Sequence, residues 1–376
     1  MTNTDQKKIL EKLIKEINAD FTPKGSHKPV ASLGDDFDYI NAIPTFSPTL
    51  DYILGIGGWP EGKLIEIFGR EHSGKSTMAI LGLKDCYDYY KGEKLVAYID
   101  IEHRFNKEWA EKLGFFIGEN MVLVQPADAE SGVDTMTRLI KSDLFCAIVW
   151  DSIGAAATSY SQQEVTDKKD KIGGNASVMK RCVQTNGPLA NLFDVTVFMI
   201  NQLRDDISGY HQLMRPGGHA VKHQMSVVLY LRPGTEKYFD KVNGEDLQVG
   251  FPILIKTIKN SYGPPLIQGW TDFYNQPSQY LDHVGIDYDN DLFRIGVLLD
   301  VVKKAGSWFS WRDFKEQGAD KLLKAVVQSN RKEELLEDIR SAIKAGRKRD
   351  RDREQELENE FGKKFFDGPD INDPEI

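Results

Sequence analysis

The chain has 376 residues, 40% hydrophobic and 28% charged, the balance of a globular protein with one large domain and a smaller one. A net charge of −9 excludes attraction to nucleic acid at the level of the whole protein, so any such site must be a local basic surface. No apolar run is long enough to span a bilayer, the start MTNTDQKKILEKLIKEI is too charged for a signal peptide, and the isolated Cys86, Cys146 and Cys182 suit core packing, so a cytoplasmic protein without membrane partners is expected.

In chain order, residues 5–18 place Ile9, Leu10, Leu13, Ile14 and Ile17 at helical spacing, and Thr22–Asp38 reads as a linker. The apolar stripe of that helix must be buried against its own core or against a neighbouring subunit. Next, Leu64, Ile65, Ile67 and Phe68 predict a short buried strand. It runs into GREHSGKS, which fits G-x-x-x-x-G-K-[ST] at Gly69, Gly74, Lys75 and Ser76. Glycines let a backbone point its N–H groups at phosphate oxygens, the lysine can reach the β/γ-phosphates, and the Ser76 hydroxyl can take a place on Mg²⁺. Thr77–Tyr90 reads as a helix whose N-terminus faces the anion. A chance match in a Gly-containing turn is the competing reading.

Further strands are predicted at Leu95–Ile99, Met121–Val124, Phe145–Trp150 and Thr196–Ile200, with helices at Lys107–Leu113 and Ser131–Lys141 between them. The alternation predicts an α/β fold, a mostly parallel sheet flanked by helices, with ligands at the carboxyl ends of the strands. The polar residues of interest fall at those ends. Asp100 and Glu102 follow the second strand, and Glu102 suits the orientation of an attacking water, or else is a solvated turn acid. Asp151 ends the unbroken run Phe145–Trp150 and suits a metal acid, or else caps a turn. Asn201, Gln202 and Arg204 emerge after the fourth strand, where a neutral amide can hydrogen-bond a γ-phosphate and lose it on hydrolysis. Two polar loops follow on the same edge, Ala157–Ala176 and Asp205–Gly218, the second carrying Tyr210, His211 and Arg215 in a pattern that suits single-strand binding.

Beyond Gly217, strands are predicted at Met225–Arg232, at Phe251–Lys259 and near Pro265–Thr271, as an antiparallel extension of the sheet. Composition shifts near Gln276–Asn290 into a smaller, helix-rich part ending near Lys344. The last 31 residues hold 7 Lys/Arg and 10 Asp/Glu, a balance of −3, as in solvated tails. The expected division is residues 1–38, helix and linker; 39–275, ATPase core; 276–345, a small α/β C-terminal domain; and 346–376, a charged, disordered tail.

Together, GREHSGKST, YIDIEHRF, IVWDSIGAA and MINQLR resemble the RecA family of recombinases, as do TFSPTLDYILGIGGWPEGKLIEI, GGHAVK, IKTIKN and VVKKAGSWFSW. The resemblance covers about Thr45–Ser310, with motifs in family order. It implies a RecA-type P-loop ATPase core with an N-terminal oligomerisation helix. It further implies ATP and Mg²⁺ as cofactors and a helical homo-oligomer on single-stranded DNA that searches homologous duplex DNA, served by single-strand-binding and loader proteins. Residue by residue, Gly69, Arg70, Glu71, His72, Ser73, Gly74, Lys75, Ser76, Thr77, Asp100 and Trp109 would bind ATP, Trp109 by stacking on adenine unless it is a core ring. Ser76 and Asp151 would support the metal, Glu102 would activate water, and Gln202 would couple the γ-phosphate to the second loop. Arg204, Tyr210, His211, Arg215, Gly217 and Gly218 would contact or close around DNA. Lys259 matches one of two lysines that reach across the filament interface in bacterial members, whereas Ser261 stands in place of the other. His223 and Val228 also depart from the pattern, which fits a divergent, phage-encoded relative better than a chromosomal one. A ring-forming helicase on the same core and an ATP-switched scaffold without turnover are the rival functions.

Overall fold

A computed structural model describes residues 3–32, 40–154, 174–205, 213–214, 216, 218–242 and 245–345. Most of the first polar loop predicted above, most of the second and the charged tail lie outside the described residues, and residues 174–176, predicted as loop, open a helix. The chain opens with α1 (Asn3–Phe21), followed by α2 (Pro48–Leu54), whose first turn is capped by the Ser47 side chain. Then come β1 (Leu64–Gly69), α3 (Lys75–Tyr89), β2 (Leu95–Asp100), α4 (Lys107–Lys112), β3 (Met121–Val124), α5 (Ala129–Lys141), β4 (Phe145–Asp151), α6 (Gly174–Leu192) and β5 (Thr196–Gln202). After α7 (Gly218–Gln224) follow β6 (Val227–Pro233), β7 (Tyr238–Val242), β8 (Glu245–Asn260), β9 (Gln268–Tyr274), β10 (Gly285–Ile286) and α8 (Tyr288–Leu298).

One 10-stranded sheet holds all ten strands, in the order β10-β9-β8-β6-β1-β5-β4-β2-β3, with β7 paired to β8. The strands from β6 to β3 along that order are parallel, and β8, β9, β10 and β7 extend it antiparallel. The expected antiparallel extension therefore begins one strand later than the sequence indicated. The short helix α7 precedes β6 and supplies the crossover that a parallel strand requires.

Why these runs form strands follows from burial on both faces. Ile65 and Ile67 of β1 belong to one apolar cluster, while Leu64 and Phe68 belong to the other. Phe198 and Ile200 of β5 divide from Val197 and Met199 in the same way. A strand covered on both sides has no polar face to show, hence the unbroken apolar runs. Helix α3 covers the first face, with Met78, Ala79, Leu83 and Cys86 in that cluster. Gly82 lets it approach, because a Cβ there would meet the Phe198 ring at 2.7 Å. Helices α5 and α6 cover the second face through Val133, Met136, Ile140, Met179 and Val183. All three cysteines are free and buried.

A three-stranded antiparallel sheet, Lys303–Ala305, Trp308–Trp311 and Phe314–Gln317, packs with Ala319–Gln328 and Lys332–Lys344 around a third cluster. Its junction with the core is polar. The fully buried Asp291 carboxylate accepts from the Ser47 hydroxyl at 2.6 Å, the Thr49 hydroxyl at 2.6 Å and the Thr49 N–H at 3.0 Å. Arg294 bridges Asp291 at 3.2 Å and Asp272 at 2.9 Å. At the other end, residues 26–28 strap the linker to the core: the Ser26 hydroxyl donates to the Leu192 carbonyl at 3.2 Å and the His27 N–H to the same carbonyl at 2.8 Å. The strap does not bury α1, whose Ile9, Leu10 and Leu13 remain 51%, 43% and 49% exposed.

Asp291→Ala leaves a buried guanidinium half-paired and three donors unmet. It should lower unfolding stability by about 3–5 kcal/mol, read as a lower urea midpoint at unchanged m-value.

Candidate active site

Register alone aligns the strand ends. Gly69 of β1 lies opposite Gln202 of β5, Ile200 of β5 opposite Asp151 of β4, and Asp151 opposite Asp100 of β2. Four neighbouring parallel strands thus deliver the turn glycine, the amide and two carboxylates to one edge of the sheet.

The loop from Gly69 to Gly74 is shaped for close approach. A Cβ at Gly69 would meet the Leu231 carbonyl oxygen at 2.4 Å and Ser73 Oγ at 2.6 Å. His72 and Gly74 adopt left-handed φ values of 62° and 86°, which turn the chain directly into α3. Arg70, Glu71, His72 and Ser76 are exposed, Ser73 is buried, and the Ser73 hydroxyl has no hydrogen-bond partner among the described residues. Lys75 is only 8% exposed and donates from Nζ to the Arg70 carbonyl at 2.6 Å. Burial lowers its pKa, opposed by the charges of Asp151, Glu102 and Glu71. One buried cation among three acids leaves the edge net acidic, so a polyanion could enter only together with a cation.

Ser76 donates from Oγ to Asp151 Oδ2 at 3.1 Å, and the Tyr98 hydroxyl donates to the same oxygen at 2.6 Å. Burial raises the Asp151 pKa to about 6, against the lowering effect of those two hydrogen bonds. Among the described residues no group of three or more His, Cys, Asp or Glu could hold a metal. A hydroxyl and a carboxylate are hard oxygen donors too few to cage a cation by themselves. That donor set fits Mg²⁺ completed by phosphate and water, and the tight Gly69 cradle with Lys75 beside it fits the phosphates. Behind the loop, Trp109 is half-buried, donates from its indole N–H to Thr77 Oγ1 at 3.0 Å and lies 6.2 Å from the Phe273 ring. Asp100 is 1% exposed and turned inward, accepting from the N–H groups of Arg104 and Phe105 at 3.2 and 2.9 Å and from Gln125 at 2.9 Å.

Glu102 and Gln202 meet directly. Gln202 Nε2 donates to Glu102 Oε1 at 2.9 Å, and Ser152 Oγ donates to that oxygen at 2.5 Å. The other oxygen pairs with Arg104 at 3.4 Å. Next to Gln202, the buried Asn201 donates to Glu66 at 2.8 Å and to the Pro216 carbonyl at 2.9 Å, tying the strand end to the far side of the second loop. The base of that loop is a two-rung ladder in which Arg204 pairs with Met214 and Asp205 with Leu213, and Gly218 opens α7. Tyr210, His211, Arg215 and Gly217 lie outside the described residues.

Lys259 is not brought to this edge. It pairs with Val228, which pairs with Glu66, three positions short of Gly69, and its Nζ caps the end of α7 on the His223 and Lys222 carbonyls at 2.7 and 3.3 Å. Burial lowers its pKa. Two neighbours of the site escaped the sequence reading, Tyr98 and Ser152. Their signals were period-two alternation from Asp100 and adjacency to Asp151.

A family model, RecA N-terminal domain, matches residues 8–276. Protein RecA of Porphyromonas gingivalis is 33% identical over 309 residues, covering 81% of this chain and 86% of that one. Protein RecA of Bacteroides thetaiotaomicron is 31% identical over 347 residues, covering 91% and 98%. A solved structure described as the RadB recombinase aligns at 19% identity with a TM-score of 0.45, covering 61% of this chain and 96% of that one, too distant to add to the match. Among the described residues no helix is long and apolar enough to cross a membrane.

With its folded pKa raised from 3.8 to about 6, Asp151 binds its proton more tightly folded than unfolded. Its contribution to stability is therefore present below about pH 4 and lost as pH rises through about 6. Asp151→Asn should raise unfolding stability at pH 7.5 by about 1–3 kcal/mol, and the gain should vanish near pH 4 in urea melts.

Proposed function

The chain belongs to the RecA family of recombinases, and on that footing we propose that it is an ATP-dependent DNA strand-exchange protein that polymerises on single-stranded DNA with ATP held between subunits. The Gly69–Thr77 loop would wrap the phosphates, Lys75 would match their charge, and Ser76 with Asp151 would hold Mg²⁺. The metal, when bound, supplies neutralisation of phosphate charge and a fixed phosphate orientation. Glu102 would orient and polarise the attacking water while Ser152 and Arg104 keep its carboxylate in place.

The observation that carries the reading is the Gln202–Glu102 hydrogen bond at 2.9 Å. It joins the candidate water activator to the strand end from which the DNA-contacting loop departs. A γ-phosphate within reach would compete for the same amide. Gln202 would then release Glu102 and shift the chain that follows it, and hydrolysis would reverse the exchange and loosen DNA. Arg204 and the loop residues Tyr210, His211 and Arg215, closed by Gly217 and Gly218, would hold the strand by phosphate contact and stacking, leaving base pairing to test homology.

Two further features support assembly. Among the described residues the Ile9, Leu10 and Leu13 stripe stays about half exposed, as in a docking helix. Lys259 stands away from its own nucleotide edge, which suits a cation that serves the neighbour's site. The site would thus be incomplete in a monomer. The companion proteins would be those that load the filament and clear competing proteins from single strands.

Phosphate release should be slow without DNA and accelerate on homopolymeric single-stranded DNA; intact but unstimulated ATPase activity would contradict the reading. Glu102→Gln should lower the stimulated rate by about 10²–10⁴-fold with ATP binding retained. Lys75→Ala should abolish exchange between homologous oligonucleotides. Ile9→Asp with Leu13→Asp should abolish filaments in negative stain while leaving the unfolding midpoint unchanged, since both side chains are already exposed.

A further inference from the structure

Tyr98 is buried, polar and unused by the reading above, yet it touches the site. It stands on β2 opposite Val149 of β4, two residues before Asp151, so its ring runs along the sheet face toward the strand end. The side chain is 2% exposed and meets Phe105 edge to face, with ring centroids 4.8 Å apart at 62°. Phe105 is itself fixed, because its N–H donates to the buried Asp100 carboxylate at 2.9 Å. A ring packed in this way holds its hydroxyl at one point, 2.6 Å from Asp151 Oδ2.

That oxygen also accepts from Ser76 Oγ at 3.1 Å. A serine hydroxyl has one proton and two lone pairs. When the proton goes to Asp151, both lone pairs point away from that carboxylate oxygen. The rotor of Ser76 is thus set by the position of Asp151, and the position of Asp151 by Tyr98. Neither hydrogen bond need break when a cation arrives. Residues that orient a metal's ligands through one intervening group commonly change metal affinity by about 10–100-fold when removed.

We propose that Tyr98 is a positioning residue for the metal, holding Asp151 so that Ser76 presents a lone pair to Mg²⁺. The inference rests on the ATP reading given above. Tyr98 does not touch the nucleotide, and its effect passes through the Asp151 carboxylate. A phenylalanine at the position keeps the ring and its packing and removes only the donor. The carboxylate would then keep the Ser76 hydroxyl as a donor but lose the one that fixes it, and be free to rotate.

The test is Tyr98→Phe in the full chain, with a fluorescent, non-hydrolysable ATP analogue titrated across Mg²⁺ concentrations. Half-saturating Mg²⁺ should rise about tenfold, while nucleotide affinity in EDTA and phosphate release at saturating Mg²⁺ stay within about twofold of wild type. In a Ser76→Ala background the same change should have no further effect on the Mg²⁺ requirement, because the group being aimed is gone. An unchanged Mg²⁺ half-saturation in a folded Tyr98→Phe protein would overturn the inference, and a lowered unfolding midpoint alone would mark a merely structural tyrosine. Should Tyr98→Phe not fold, Phe105→Leu loosens the ring while keeping the hydroxyl, and must still raise the Mg²⁺ requirement. Wild-type protein with no Mg²⁺-dependent nucleotide binding would overturn the ATP reading itself, and with it the inference.

Discussion

Parallel register is the constraint on which the site depends. Because β1, β5, β4 and β2 are neighbours running in one direction, their carboxyl ends fall in one row, and Gly69, Gln202, Asp151 and Asp100 stand side by side. A one-residue slip in any of them would turn its polar end residue to the other face. What prevents the slip is burial of both faces, since Leu64 and Phe68 on one side and Ile65 and Ile67 on the other each have a separate apolar cluster to fill. Packing in the middle of the sheet thus sets angstrom-scale geometry at its edge.

Electrostatics at that edge run against folding stability. Lys75 and Asp151 are both shifted by burial toward their neutral forms, Asp151 to a pKa of about 6. Glu102 is held by Ser152, Gln202 and Arg104. The burial of Lys75 and Asp151 costs folding stability, a cost that the proposed arrival of polyanion and cation together would offset. The proposed completion of the site by ligand, and by a neighbouring subunit through Lys259, would follow the same logic.

Much of this was legible in the chain. The runs Phe145–Trp150 and Thr196–Ile200 carry no polar residue except the first threonine, and β4 and β5 extend each by only one or two residues. The phosphate loop was legible because its glycine and lysine spacing has a local cause. Less was visible where the cause is not local. Tyr98 reads as one more β-former until β2 and β4 are set in register, and Ser152 reads as a turn residue until Glu102 is brought to it. The Ser47–Thr49–Asp291–Arg294 junction joins positions more than 240 residues apart, which no periodicity reveals. Likewise β6 looked like an antiparallel strand because α7 ahead of it is only 7 residues long. The stripe on α1 left its partner undecided, and among the described residues Ile9, Leu10 and Leu13 stay about half exposed.

The central claim is that Gln202 couples the γ-phosphate to DNA. The most direct measurement compares single-stranded DNA affinity with a non-hydrolysable ATP analogue and with ADP, in wild type and in Gln202→Ala, by fluorescence anisotropy at fixed salt. The account predicts tighter binding with the ATP analogue in wild type by about tenfold or more, a coupling of at least about 1.4 kcal/mol, and loss of that difference in the variant. A Gln202→Ala protein that keeps the full difference would contradict it.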